Sequence, residues 1–138
     1  MNIVLSFSEI NWLSVLVAAI SAFAVGSLWY SPVTPTGKTW MKIERAGKEQ
    51  TKSANMPLIF ITAFVLNFIA AIVLDMFIGT NGTLISGIIT GALAGVAFVS
   101  TSFGVNYLFA LRSFKLFLVD AGYNILFFLV TGAILGAW

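Results

Sequence analysis

Asp120, Tyr123 and Asn124 bring a carboxyl, a phenol and an amide to one helix face, since residues three and four apart are neighbours on a helix. Such a trio can hold a proton, an ion or a polar ligand, or it can tie one helix to another. The rest of the composition narrows the chemistry. Without Cys there are no disulfides, thiolate nucleophiles, Fe–S clusters or Cys-type zinc sites. Without His the commonest metal ligand and the side chain that titrates nearest neutrality are missing. Catalysis would have to rest on Asp, Glu, Tyr, Lys or Ser, and a single Asp with Tyr and Asn lacks a paired acid and base. The sequence is therefore read as that of a non-enzyme, with no cofactor and no metal.

The elements that must position this trio are apolar. The chain has 138 residues, 59% of them hydrophobic and 9% charged, with a mean hydropathy of +1.02. Soluble domains are about a quarter charged. A helix needs about 20 apolar residues to cross the hydrocarbon, and four stretches supply them: 10–30, 57–78, 84–108 and 116–138. The expected fold is all-α, a single polytopic domain of four transmembrane helices in an antiparallel bundle. Ser8 is placed to cap the first helix, with Glu9 in its first turn, and Pro32 blocks its continuation. Pro57 suits the first turn of the second span, and Gly79-Thr80-Asn81-Gly82 reads as a tight turn. The N-terminus lacks a basic n-region, so the first span is expected to be retained.

All seven Lys and Arg fall within 37–55 and 112–115. Alternating spans put loops 31–56 and 109–115 on one face, which under the positive-inside rule is cytoplasmic, with both termini outside. Trp12 and Trp138 then mark the outer interface, and Trp29, Tyr30, Trp40 and Tyr107 the inner one. The net charge of +2 is explained by anionic headgroups, so membrane lipids are the expected partner and nucleic acid is not. In the longer loop, Trp40, Met41 and Ile43 among cations are compatible with a short helix in the headgroup plane or with a solvated basic linker. The stretch 48–55 reads as unstructured.

Within lipid, close backbone approach through small residues is the main readable sign of helix packing. The third span carries Gly87, Gly91 and Gly95 at successive i+4 positions, the first carries Ser14, Ala18, Ala22 and Gly26, and the fourth carries Gly132 and Gly136. These ridges predict tight seams within the protomer or between subunits of a homo-oligomer. Asn67 and Asp75 share a face of the second span with Ala63 and Ala71. Asp75 stands near a helix end, within reach of water. Asp120 lies about one turn inside the other boundary, and its own-helix neighbours include no well-placed cation. A charge at mid-span costs about 2.5 to 3.5 kcal/mol, and less near the edge. Another helix should therefore satisfy it, through Ser100, Thr101, Ser102, Asn106, Tyr107, Tyr30 or a folded-back Arg112.

Several motifs occur together: Asn11-Trp12; Gly26-Ser27-Leu28-Trp29-Tyr30-Ser31-Pro32 with Gly37-Lys38-Thr39-Trp40-Met41; Val105-Asn106-Tyr107-Leu108-Phe109; and Lys115-Leu116-Phe117-Leu118 with Ala121-Gly122-Tyr123. With these motifs the chain resembles, from about Asn11 to Trp138, the family called domain of unknown function 1761, small four-span proteins found mainly in bacteria. The resemblance implies the same topology, a bacterial inner membrane and no established activity. Family members often carry His where this chain has Asn124, and an amide is common where Asp120 stands, which argues against a proton relay. Two functions are then expected to compete. One is a small homo-oligomeric transporter or channel-like component for an unknown small molecule or ion, its pathway lined by Asp120, Tyr123, Asn124, Asn106, Tyr107 and Tyr30. The other is a structural or accessory protein that packs lipids or partner proteins and uses those residues as internal glue.

Overall fold

The computed structural model describes residues 7–45 and 55–138; much of the stretch read as unstructured lies outside them. Five helices account for most of the described residues: α1 Trp12–Trp29, α2 Pro35–Glu44, α3 Met56–Ile78, α4 Leu84–Phe109 and α5 Phe114–Ala137. Four of them, α1, α3, α4 and α5, are long and apolar enough to cross a membrane, and the chain is a multi-pass membrane protein of all-α architecture.

Local chemistry sets the helix ends. The cap of α1 is Asn11, not Ser8: its side chain accepts from Ser14 N at 3.2 Å, while the Ser14 hydroxyl donates to Asn11 O at 2.9 Å. Ser8 and Glu9 belong instead to a short 3₁₀ turn ahead of the helix, so Glu9 is not in its first turn. The helix stops at Trp29, before Pro32. Thr34 then caps α2, accepting from Gly37 N at 3.1 Å, and Pro35 occupies its first turn. The basic loop thus carries a helix over Pro35–Glu44. Asn55 caps α3, and a turn at Gly79, whose φ of 75° suits glycine, leads into α4.

The central helix is α5, on which α1, α2, α3 and α4 all pack, α4 along most of its length. The glycine ridges meet there. A Cβ on Gly87 would lie 2.0 Å from the Gly132 carbonyl oxygen, one on Gly91 2.1 Å from that of Phe128, and one on Gly95 3.0 Å from the Ile125 Cα. Gly136 in turn sits 2.9 Å, measured from its own hypothetical Cβ, from the Gly87 Cα. Backbone touches backbone, which only glycine permits. On the other side of α5, Val15 and Ala18 of α1 join Ala71 and Leu74 of α3 and Leu135 of α5 in the core, and Ala22 is also buried. The outlying helix is α3: in its most apolar window 11% of residues are buried, against 33% in α5.

Within α4, residues Leu93–Ser100 form a π-helical stretch. At about 100° per residue, a regular α-helix would place Tyr107 roughly 120° around from Gly95. The wider π turns absorb that difference, so Gly95 and Tyr107 both face α5.

Candidate functional site

The basic end of the bundle gathers the polar side chains. Asp120, half-buried in the second turn of α5, accepts from the Tyr30 hydroxyl at 2.7 Å through Oδ1 and from the Tyr107 hydroxyl through Oδ2. Three segments therefore converge on one carboxylate: the end of α1, the end of α4 and the start of α5. Asn124 turns its amide back onto its own helix, donating to Asp120 O at 2.9 Å. Tyr123 stacks on the chain rather than reaching the acid, with its ring 5.3 Å from that of Tyr30 and resting over Gly26 at 3.5 Å from where a Cβ would be.

Each partner is itself positioned. Tyr30 follows the last turn of α1, which is anchored by Trp29: its indole N–H donates to Val119 O at 2.8 Å. The same indole covers Gly122 so closely that a Cβ there would lie 2.8 Å from Cζ2, which explains the glycine of the Gly-Tyr pair. Tyr107 is set by the way α4 ends. Arg112 N donates to Tyr107 O at 3.0 Å and Leu111 N to Leu108 O at 3.2 Å, a Schellman turn with Leu111 at φ 53° in the place glycine usually takes. That turn swings Arg112 over the Tyr107 ring, 4.7 Å from its centroid, and into an ion pair with Glu44 of α2.

The lid over this end is α2. Trp40 meets Tyr30 edge-on at 5.4 Å, Arg45 lies 4.9 Å over the Trp40 ring, and the Thr34 and Thr36 hydroxyls donate to Trp29 O at 3.0 and 2.5 Å. Gly37 fits against the Ser31 carbonyl where a Cβ could not, which folds α2 back close to the end of α1 and against α5.

Of the residues expected at the polar cluster, the structure brings Asp120, Tyr30 and Tyr107 into direct contact, with Tyr123 and Asn124 alongside. Asn106 is elsewhere: it is exposed on the outer side of α4, where it lines a shallow concavity with Phe98, Val99, Ser102 and Phe103. Ser100 and Thr101 bond their own helix, at Gly95 O (2.7 Å) and Ala97 O (2.8 Å). Arg112 pairs with Glu44 and not with Asp120. The part played by Trp29, Glu44 and Leu111 escaped sequence reasoning; the sharp end of α4 before Arg112 and the indole beside Pro32 were the only local signals.

A concavity of about 310 Å³ beside the cluster is lined by Trp29, Thr39, Lys115 and Leu118 among others, but by neither Asp120 nor Asn124. The larger polar concavity, about 360 Å³, is at the opposite end, where Glu9, Asn11, Ser14 and Asp75 face one another. Asp75 lies there beside the Asn11 backbone N–H. Among the described residues no three of His, Cys, Asp and Glu come together to hold a metal ion.

No curated protein and no solved structure matches the chain. Residues 13–136, which take in nearly all of the four spans, match the profile of the family described as protein of unknown function (DUF1761), and the chain belongs to that family.

Proposed function

We propose that the protein is a structural or accessory element of the bacterial cytoplasmic membrane, without catalytic activity, that acts as a homo-oligomer packing lipids or partner proteins. The basic end faces the cytoplasm and both termini lie outside, in keeping with the positive-inside rule. One observation carries this reading: both oxygens of Asp120 are occupied by tyrosine hydroxyls from two other segments, under a lid formed by α2. A carboxylate held in this way ties helices together. A carboxylate serving a pathway would have to exchange these partners for a solute.

The experiment pairs Asp120→Asn with flux measurements in reconstituted vesicles. The proposed role predicts a folded variant and no solute or proton flux above empty vesicles for either protein. A transporter or channel-like component is the second reading, favoured by the 360 Å³ concavity with Glu9 and Asp75 at the outer end. Flux that is present in the parent and changes with Asp120→Asn or Asp75→Asn would establish it and remove the first. Reporter fusions at Gly47 and after Trp138 test the orientation; a cytoplasmic C-terminus would reverse it.

A further inference from the structure

The start of α5 carries Lys115, Leu118 and Gly122 on one side, since residues three, four and seven apart share a helix face. Facing them is α2, with Pro35 and Thr39, and the Trp29 ring lies between; together they line the concavity of about 310 Å³ beside the polar cluster. The two ends of this groove differ in character. Lys115 stands in the first turn of α5, at the basic boundary, whereas Gly122 lies seven residues on, about 10 Å deeper into the span. The Trp29 N–H is already given to Val119 O, so with its one donor spent the indole has only apolar surface to offer. Among the described residues the ammonium of Lys115 has no ion-pair or hydrogen-bond partner, and the same holds for Lys38 and Lys42 of α2. The groove is thus cationic at its mouth and apolar below.

We infer that the groove between α2 and α5 binds one anionic glycerophospholipid, its phosphate at Lys115 and the upper part of an acyl chain along Trp29, Leu118 and Gly122. Charge and depth together select this occupant. A headgroup of net negative charge answers the unpaired lysine, whereas a zwitterionic one brings its own ammonium to the same place. An acidic segment of a soluble protein meets Lys115 but not the apolar floor below the boundary. A second copy, related by an axis along the membrane normal, presents like charge at the same depth. The molecule also carries its own comparison. The concavity of about 280 Å³ on α4, lined by Phe98, Val99, Ser102, Phe103 and Asn106, has a similar size and no cation. It gives ordinary contact to any lipid, so selectivity should belong to the groove at Lys115 alone.

The inference rests on the lipid-packing reading above and names the lipid class and its place. Native mass spectrometry of the full chain, titrated with phosphatidylglycerol or phosphatidylcholine, counts the lipids retained. The parent should hold one phosphatidylglycerol in preference to phosphatidylcholine. Lys115 and Leu118 are exposed, so their replacement leaves the fold intact. Lys115→Gln should weaken the first phosphatidylglycerol adduct by about fivefold at low ionic strength, the scale of one lysine at a charged surface. Leu118→Trp and Thr39→Trp keep the charge and fill the groove from either wall; each should weaken the adduct at least as much, while Ser102→Trp, in the uncharged concavity, should not. Equal retention of the two lipids by the parent, or no effect of Lys115→Gln, would overturn the inference. A preference that survives both filling variants would also overturn it, and would mean diffuse attraction to the basic end. None of these measurements involves flux, so failure here would leave the accessory reading standing, and flux in the parent would end that reading without removing the lipid.

Discussion

The two halves of the α4–α5 contact are joined by opposite means. Toward the turn after α3, Gly87, Gly91, Gly132 and Gly136 put main chain directly on main chain. Toward the basic end, the same two helices are joined through Tyr107 and Asp120, with Tyr30 completing the bracket from α1. The first joint depends on the absence of atoms and the second on the presence of specific ones. The first should therefore fail under any enlargement, whereas the second should tolerate a change of charge but not the loss of its acceptor.

The largest effect is expected at the glycine seam. Gly91→Ala places a methyl 2.1 Å from the Phe128 carbonyl oxygen, and backbone on both sides cannot yield without separating the helices. Overpacking of this kind costs about 1 to 3 kcal/mol, and Gly91→Leu more. Thermal melting in detergent or lipid measures it, and a variant that melts like the parent would mean that the seam is looser than the geometry indicates.

The bracket should respond in two grades. Asp120→Ala strands two hydroxyls, each of which loses about 1 kcal/mol or somewhat more depending on its access to water. Asp120→Asn keeps an acceptor and removes the ion's desolvation, so its cost should stay below about 1 kcal/mol. A melting series of parent, Asn and Ala variants checks the order. If Asn is as damaging as Ala, the negative charge itself holds the site together, and the contrast with the glycine seam becomes one of electrostatics.

What the sequence made legible follows from how far each signal reaches. The four spans and the seam glycines were readable because lipid imposes their length and their small residues directly. The need of Asp120 for partners on another helix was equally readable, from cost alone. The choice among seven candidate partners was not, because it depends on the phase of α4. That phase is reset by the π turns of 93–100, which arise where Ser100 bonds Gly95 O and α5 presses on the glycine face, neither being visible in a linear pattern. The first helix cap was misplaced for a related reason: Ser8 and Asn11 are both good caps, and the reciprocal bonds between Asn11 and Ser14 decide between them. The Arg112–Glu44 pair spans 68 residues and needs both α2 and the Schellman turn to exist first.

Beside the glycine seam, next to Gly132, is a position where the core is imperfect. The hydroxyl of Thr131 on α5 is fully buried, and among the described residues it has no hydrogen-bond partner. Thr131→Val keeps the shape and removes the unmet polar atom, so a gain of up to about 1 kcal/mol is expected. A loss of that size would mean that the hydroxyl bonds a buried water, and the interior beside the glycine seam would not be dry.

The smallest effect should come from the turn that delivers Tyr107 to the bracket. Leu111 holds a left-handed backbone at φ 53° and is 92% exposed, so its side chain contributes little packing to offset the strain. Glycine adopts that conformation without penalty, and the strain at a non-glycine residue is about 1 kcal/mol. Glycine also gains freedom in the unfolded chain, which takes back part of the benefit. Leu111→Gly should then raise stability by about 0.5 kcal/mol, read as a small upward shift in melting temperature. The same variant sharpens the comparison between the joints. If the turn alone positions Tyr107, the gain should persist in an Asp120→Ala background. A gain that vanishes there would mean that the bracket holds the turn in place, reversing the order in which the basic end is assembled.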